Sequence, residues 1–188
     1  MRSIAYADTG GNIMQKQLEA KLNRALMDEY HARNTYRKII DTFGSVRPFS
    51  NIVEAEQAHI NFLLPLYEKY SIPVPPEPSP PETVPPTSMK EACRIAVQAE
   101  EENISLYDDL LEGTKESDVI EVFRQLQAAS RDHHLPAFRR CLERETNRTN
   151  PGCGGNGQGR AGRRGKGRGQ CRGQKGRLNQ ERLQNPLA

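Results

Sequence analysis

Eight prolines lie between Ile72 and Ser88, in the stretch IPVPPEPSPPETVPPTS. Proline has no backbone N–H and a fixed φ, so neither a helix nor a central strand survives that density. The stretch reads as a semi-rigid polyproline II connection. A proline-reading partner could bind it, but a stiff spacer crossing the length of the domain is the simpler account. Either way it divides the chain into two halves, 12–71 and 88–146, and each must build its own secondary structure.

Both halves read as helical. Leu18, Leu22, Ala25, Glu29, Ala32, Tyr36, Ile39 and Phe43 recur at spacings of four and three, the seam of one long amphipathic helix that Gly44 ends. Ile52, Glu56, His59, Leu63 and Tyr67 or Tyr70 continue the rhythm in a second helix. Met89, Cys93, Ala96, Glu100, Asn103, Tyr107 and Leu110 form a third seam, stopped by Gly113. Ile120, Phe123, Gln127, Ser130, His134, Ala137 and Cys141 form a fourth. Strand alternation appears nowhere. Two helical hairpins joined by one long crossover describe an all-α four-helix bundle over residues 12–146, with 72–88 as the crossover. The halves also resemble each other. Glu29 precedes Tyr36 by seven residues as Glu100 precedes Tyr107, and the second and fourth helices each carry an inward histidine, His59 and His134.

The seams contain carboxylates, which apolar seams normally exclude. A buried carboxylate must be paired or must hold a metal. Glu29, Glu56 and Glu100 all occupy seam positions, and Glu56 and His59 stand three apart, on one face. A Glu-x-x-His pair with glutamates from neighbouring helices is how carboxylate-bridged di-iron and di-manganese bundles are built. Carboxylates bridge hard cations and imidazoles complete the coordination.

The segments DEYHARNTYRKI, PFSNIVEAEQAHI, AEEENISLYDDLL and SRDHHLPAFRR, in that order, resemble the ferritin-like superfamily over about residues 15–145. More narrowly they are similar to the bacterial and archaeal family called domain of unknown function 2202, with the FSNI-x-x-x-E-x-x-H element the most specific part. The resemblance implies a ferritin-like bundle and a metal site, but no established activity. It carries the ligand pattern onto Glu29, Glu56, His59, Glu100 and His134. The second Glu-x-x-His is broken, because Arg131 stands three before His134 and Ser130 three before His133. Five ligands remain of six, which predicts one tight ion per chain. An inward Arg131 would instead pair with the carboxylates and replace the metal. Gln127 and Ser130 share the face of His134 and offer weak ligands or a hold on water. Tyr36 and Tyr107 could donate to ligand carboxylates or carry a radical, but filling the core is the simpler account.

The charge is split. Residues 151–188 carry nine Lys/Arg and one acidic residue, and the remaining 18 basic and 23 acidic residues make the body net negative. From Asn150 the Gly/Arg-rich tail has little to bury and reads as disordered. Arg160, Arg163, Arg164, Lys166, Arg168 and Arg172 are its candidate nucleic-acid contacts. They would act through phosphates, with strong salt dependence and no aromatic stacking. Cys93, Cys141, Cys153 and Cys171 form no C-x-x-C pair, which argues against a zinc ribbon or a rubredoxin-type iron site. Cys93 and Cys141 read as small buried residues, and spacing alone leaves open whether they meet. No apolar run reaches the length of a membrane span, and the first residues lack the apolar core of a signal peptide, so the expected location is cytoplasmic.

The functional expectation is a ferritin-like protein holding iron or manganese, as one or two ions, with dioxygen or peroxide chemistry. Without a rubredoxin-type module, electrons would come from a separate donor. The alternative is a metal-free helical binding module whose basic tail contacts nucleic acid or acidic partners. A second copy of the chain is a further candidate partner.

Overall fold

The computed structural model describes residues 9–79 and 84–149. The tail, with its basic residues, Cys153 and Cys171, lies outside the described residues, as do residues 80–83 of the crossover. Helix α1 runs over Thr9–Phe43, α2 over Phe49–Lys69 and α3 over Met89–Leu111. The fourth rod is α4, Ser117–Ala129, then a π-helical turn at Ser130–His134, then α5, Leu135–Thr149. Its backbone stays helical through both junctions. No strand occurs among the described residues. Helix α1 packs along α2, and α3 packs along α4 and α5. These are the two hairpins of a ferritin-like four-helix bundle.

The helix ends follow local rules. Gly44 (φ 84°) and Gly113 (φ 68°) adopt the left-handed conformation just beyond α1 and α3, which glycine reaches without a Cβ penalty. Ser88 Oγ accepts the Glu91 amide at 3.2 Å at the start of α3, and the Glu91 carboxylate reaches back to Thr87. At the other end of α3, Lys21 of α1 donates to Leu110 O at 3.0 Å and to Thr114 Oγ1 at 2.8 Å. A cation there satisfies carbonyls left open by the last turn.

The seams of α1 and α3 are buried largely as the spacing requires. Ala32, Phe43 and Met89 are only half-buried. In α2, Tyr67 rather than Tyr70 is the core residue. The fourth seam differs more. Val119, Leu126 and Phe138 are buried, whereas Ile120 and Ala137 are half-buried. The π turn bears on the shift beyond it, from Ala137 to Phe138, whereas the shift from Ile120 to Val119 precedes it. The Leu135 amide bonds Ser130 O, five residues back, so the turn holds one extra residue. The buried positions then run Ser130, His134, Phe138, two steps of four in succession.

The apolar residues form two clusters. One gathers Leu22, Leu26, Leu63, Tyr67, Leu110 and Phe123, among others. The second gathers Tyr36, Ile39, Phe49, Ile52, Ala96 and Phe138, among others. Glu29, Glu56, His59, Glu100 and His134 are all buried and belong to neither cluster. Within the second cluster Cys93 and Cys141 do meet: they form a disulfide between α3 and α5, with Cα atoms 5.9 Å apart.

The crossover is tied to the bundle by Arg33. That side chain is buried, donates to the Glu77 carboxylate and to Gln57 Oε1 (2.6 Å), and lies over the Tyr30 ring at 5.1 Å. Glu77→Ala would leave a buried guanidinium short of its counter-charge. Because Glu77 is itself nearly half exposed, the expected cost is about 1–2 kcal/mol, below that of a fully buried pair. A urea midpoint unchanged by this substitution would show that the strap is not held there.

Candidate metal centre

Each helix contributes to a polar waist for a local reason. Glu29 and Glu100 continue the seams of α1 and α3. Glu56 and His59 share one face of α2 by their spacing. His134 closes the π turn of the fourth rod. The sequence proposed these five residues, and the fold brings all five together.

The arrangement is nearly two-fold. His59 Nδ1 lies 3.0 Å from Glu29 Oε2 and 2.9 Å from Glu56 Oε2. His134 Nδ1 lies 3.2 Å from Glu56 Oε1 and 3.5 Å from Glu100 Oε2. Glu56 therefore turns one oxygen to each histidine. The two rings stack with centroids 5.4 Å apart and planes at 22°. Two groups of donors result, Glu29–Glu56–His59 and Glu56–Glu100–His134, with the donor atoms of each group within 4.8 Å of one another. The tyrosines complete the symmetry: Tyr107 donates to Glu29 Oε1 and Tyr36 to Glu100 Oε1, both at 2.6 Å. Each fixes one carboxylate oxygen and leaves the other facing a histidine.

The electrostatics follow from burial and mutual contact. Burial pushes Glu29 up to about 8, against the pull of His59. Burial also works to raise Glu56, but the His134 and His59 imidazoles outweigh it and hold this carboxyl at about 2. Burial works to lower both histidines, and the carboxylates outweigh it. Glu29 and Glu56 bring His59 up to about 10, and Glu100 and Glu56 bring His134 up to about 9. Burial carries Tyr36 and Tyr107 well above their ordinary value, so both remain donors. The carboxyl groups and the two imidazoles therefore titrate as one coupled cluster.

One atom does not fit a purely internal network. His134 Nδ1 is buried and, despite its nearness to two carboxylates, has the angles of no hydrogen bond. An orphaned buried nitrogen is costly, and a cation placed between it and the carboxylate oxygens would satisfy it. The donor set itself, carboxylate oxygens with imidazole nitrogen, suits iron or manganese. By both tests the residues present fit such an ion.

The remaining candidates fall outside the donor groups. Arg131 is exposed and bonds Asp132 through Nε and Nη2, both at 2.9 Å. Gln127 turns to α3, where it donates to Ile104 O at 3.0 Å and Asp108 Oδ1 at 2.7 Å. Ser130 is buried one π turn before His134, where a regular helix would have placed Arg131. The break in the second Glu-x-x-His is therefore a serine in space, although it is an arginine in sequence. Sequence reasoning gave no role to Asp28, whose Oδ2 accepts from Asn103 Nδ2 at 2.6 Å beside the ligands. A polar Asn103 in the third seam, three residues after Glu100, was the available signal.

A four-helix bundle with carboxylates and histidines converging at its waist is the architecture of ferritin-like metal-binding proteins. The family model for rubrerythrin matches residues 21–142, and the chain belongs to that family. A hypothetical protein from Methanococcus jannaschii is 25% identical with a TM-score of 0.62, covering 68% of this chain and 81% of its own. A second hypothetical protein, from Pyrococcus furiosus, is 23% identical with a TM-score of 0.55, covering 76% and 94%, and shows the fold alone. No curated protein matches significantly. The narrower likeness to domain of unknown function 2202 rests on the sequence motifs. Among the described residues no helix is long and apolar enough to cross a membrane.

Proposed function

We propose that this protein binds two iron ions at the bundle waist and serves as an oxidoreductase toward peroxide or dioxygen. The observation that carries the reading is Glu56, whose two oxygens face two different histidines. Glu29 with His59 would hold one ion, Glu100 with His134 the other, and Glu56 would bridge them. A ferrous pair held there would supply two electrons, enough with two protons to cleave hydrogen peroxide to two waters or to reduce dioxygen to hydrogen peroxide. Tyr107 and Tyr36 keep Glu29 and Glu100 from rotating away and hold their own protons while doing so. Tyr107 belongs to one apolar cluster and Tyr36 to the other, which lowers the polarity around the carboxylates they hold.

Glu56 is the one carboxylate common to the two donor groups found among the described residues, and Ser130 stands where a second would. The first ion should therefore bind tightly and the second more weakly. An inward Arg131 paired with the carboxylates would have favoured the metal-free alternative, and Arg131 is exposed and bonded to Asp132. A separate donor returns electrons in this reading.

Anaerobic titration of metal-stripped protein with Fe²⁺ tests the proposal. Two ions per chain are expected, the second with lower affinity, and peroxide should then oxidise them. Binding must displace the protons held on His59, His134 and Glu29, because ligands bind deprotonated. Uptake should therefore release protons, and affinity should rise with pH from 6 to 8. No uptake, or uptake without proton release, would overturn the reading.

A further inference from the structure

We propose that the cleft between α1 and α3 is the route by which divalent cations reach the bundle waist, with Asp28 and Asn103 as its transit point. This rests on the function proposed above and concerns how the same site is loaded.

A cavity of about 170 Å³ opens there, roomier than a single water requires. Its inner wall includes Tyr36, Glu56 and Glu100, so it leads to the subsite that Glu100 serves. Its outer wall carries His31 and Glu102, both exposed. Asp28 and Asn103 also line it. Every ionisable side chain along this path is a carboxylate, an imidazole or the Tyr36 phenol, and none is a lysine or arginine.

Asn103 supplies the independent observation. It is 7% exposed, and while its amide nitrogen donates to Asp28, its Oδ1 is buried without a partner. A buried amide oxygen without a partner is costly. In a cavity lined by carboxylates it has the chemistry to coordinate a hard cation or accept from that cation's water. The transit point lacks the convergent donors of the two waist groups. Weak coordination suits it, because an ion held tightly there would not move on.

The test is the rate at which full-length, metal-stripped protein takes up Co²⁺ or Fe²⁺ in stopped flow, with final stoichiometry measured on the same samples. Asp28→Asn and Asn103→Ala should each slow uptake by about tenfold or more, the scale of electrostatic focusing, and leave the final stoichiometry unchanged. Glu102→Gln, at an exposed position that the fold does not need, should slow uptake less and weaken its dependence on ionic strength. Wild-type rates in all three variants, with normal loading, would overturn the route while leaving the metal-binding reading intact. Failure of the wild-type protein to load at all would overturn both. Slowed uptake with full loading distinguishes a transit role from damage to the site, which would lower the stoichiometry as well.

Discussion

Glu56→Ala is expected to abolish iron uptake at both subsites, whereas His59→Ala and His134→Ala should each spare one ion. The difference follows from geometry, because Glu56 is the one residue shared by both donor groups. Saturation of the wild-type protein at about a hundred times the dissociation constant stabilises the fold by ~2.7 kcal/mol. For a chain of this size that corresponds to a rise of roughly 5–10 °C in melting temperature. The rise should vanish in Glu56→Ala. The metal-stripped variant should itself be weaker than stripped wild type by about 1–3 kcal/mol, since His59 loses a buried hydrogen-bond partner and His134 a neighbouring carboxylate. Glu56→Gln preserves the shape and separates the two effects. It should restore much of the metal-free stability without restoring uptake of both ions. Wild-type stoichiometry in Glu56→Ala would remove the bridge from the proposal.

Reduction of the Cys93–Cys141 disulfide should produce the largest change in stability. The bond closes a sequence separation of 48 residues. By chain entropy alone, a loop of that length is worth about 4 kcal/mol at 25 °C. The melting temperature should fall by roughly 8–16 °C in reductant, or in Cys141→Ala, which leaves Cys93 as a buried thiol. The bond also joins the helices that carry two of the candidate ligands. Cys93 precedes Glu100 by seven residues on α3, and Cys141 follows His134 by seven on α5. Loosening that pairing should weaken the Glu100–His134 subsite more than the Glu29–His59 subsite. A melting temperature indifferent to reductant would mean that packing alone holds the two helices together.

The bundle was legible because its signals are local. Seams of spacing three and four, glycines at helix ends and eight prolines in one stretch each act within a few residues of themselves. The same holds for Glu56 and His59, one turn apart on one helix. Glu29 and Glu100 could be singled out because a carboxylate in an apolar seam demands a partner, wherever that partner lies.

What remained hidden depends on distance across the bundle. Spacing along α3 and α5 says nothing of the rotation that sets Cys93 against Cys141, and packing decides it. The π turn escaped notice because one extra residue per turn has no compositional mark, yet it moved Arg131 out to solvent and put Ser130 in its place. Asp28 has no mark in the sequence that sets it apart from other acids, and its bond from Asn103 of another helix depends on packing. The sequence by itself determined four helices, their order and the identity of five convergent polar residues, because periodicity and the cost of burying charge are written in the chain. Only the tertiary structure decided that Glu56 faces both histidines and that a cleft opens toward it, because relative rotation and register of helices are properties of their packing.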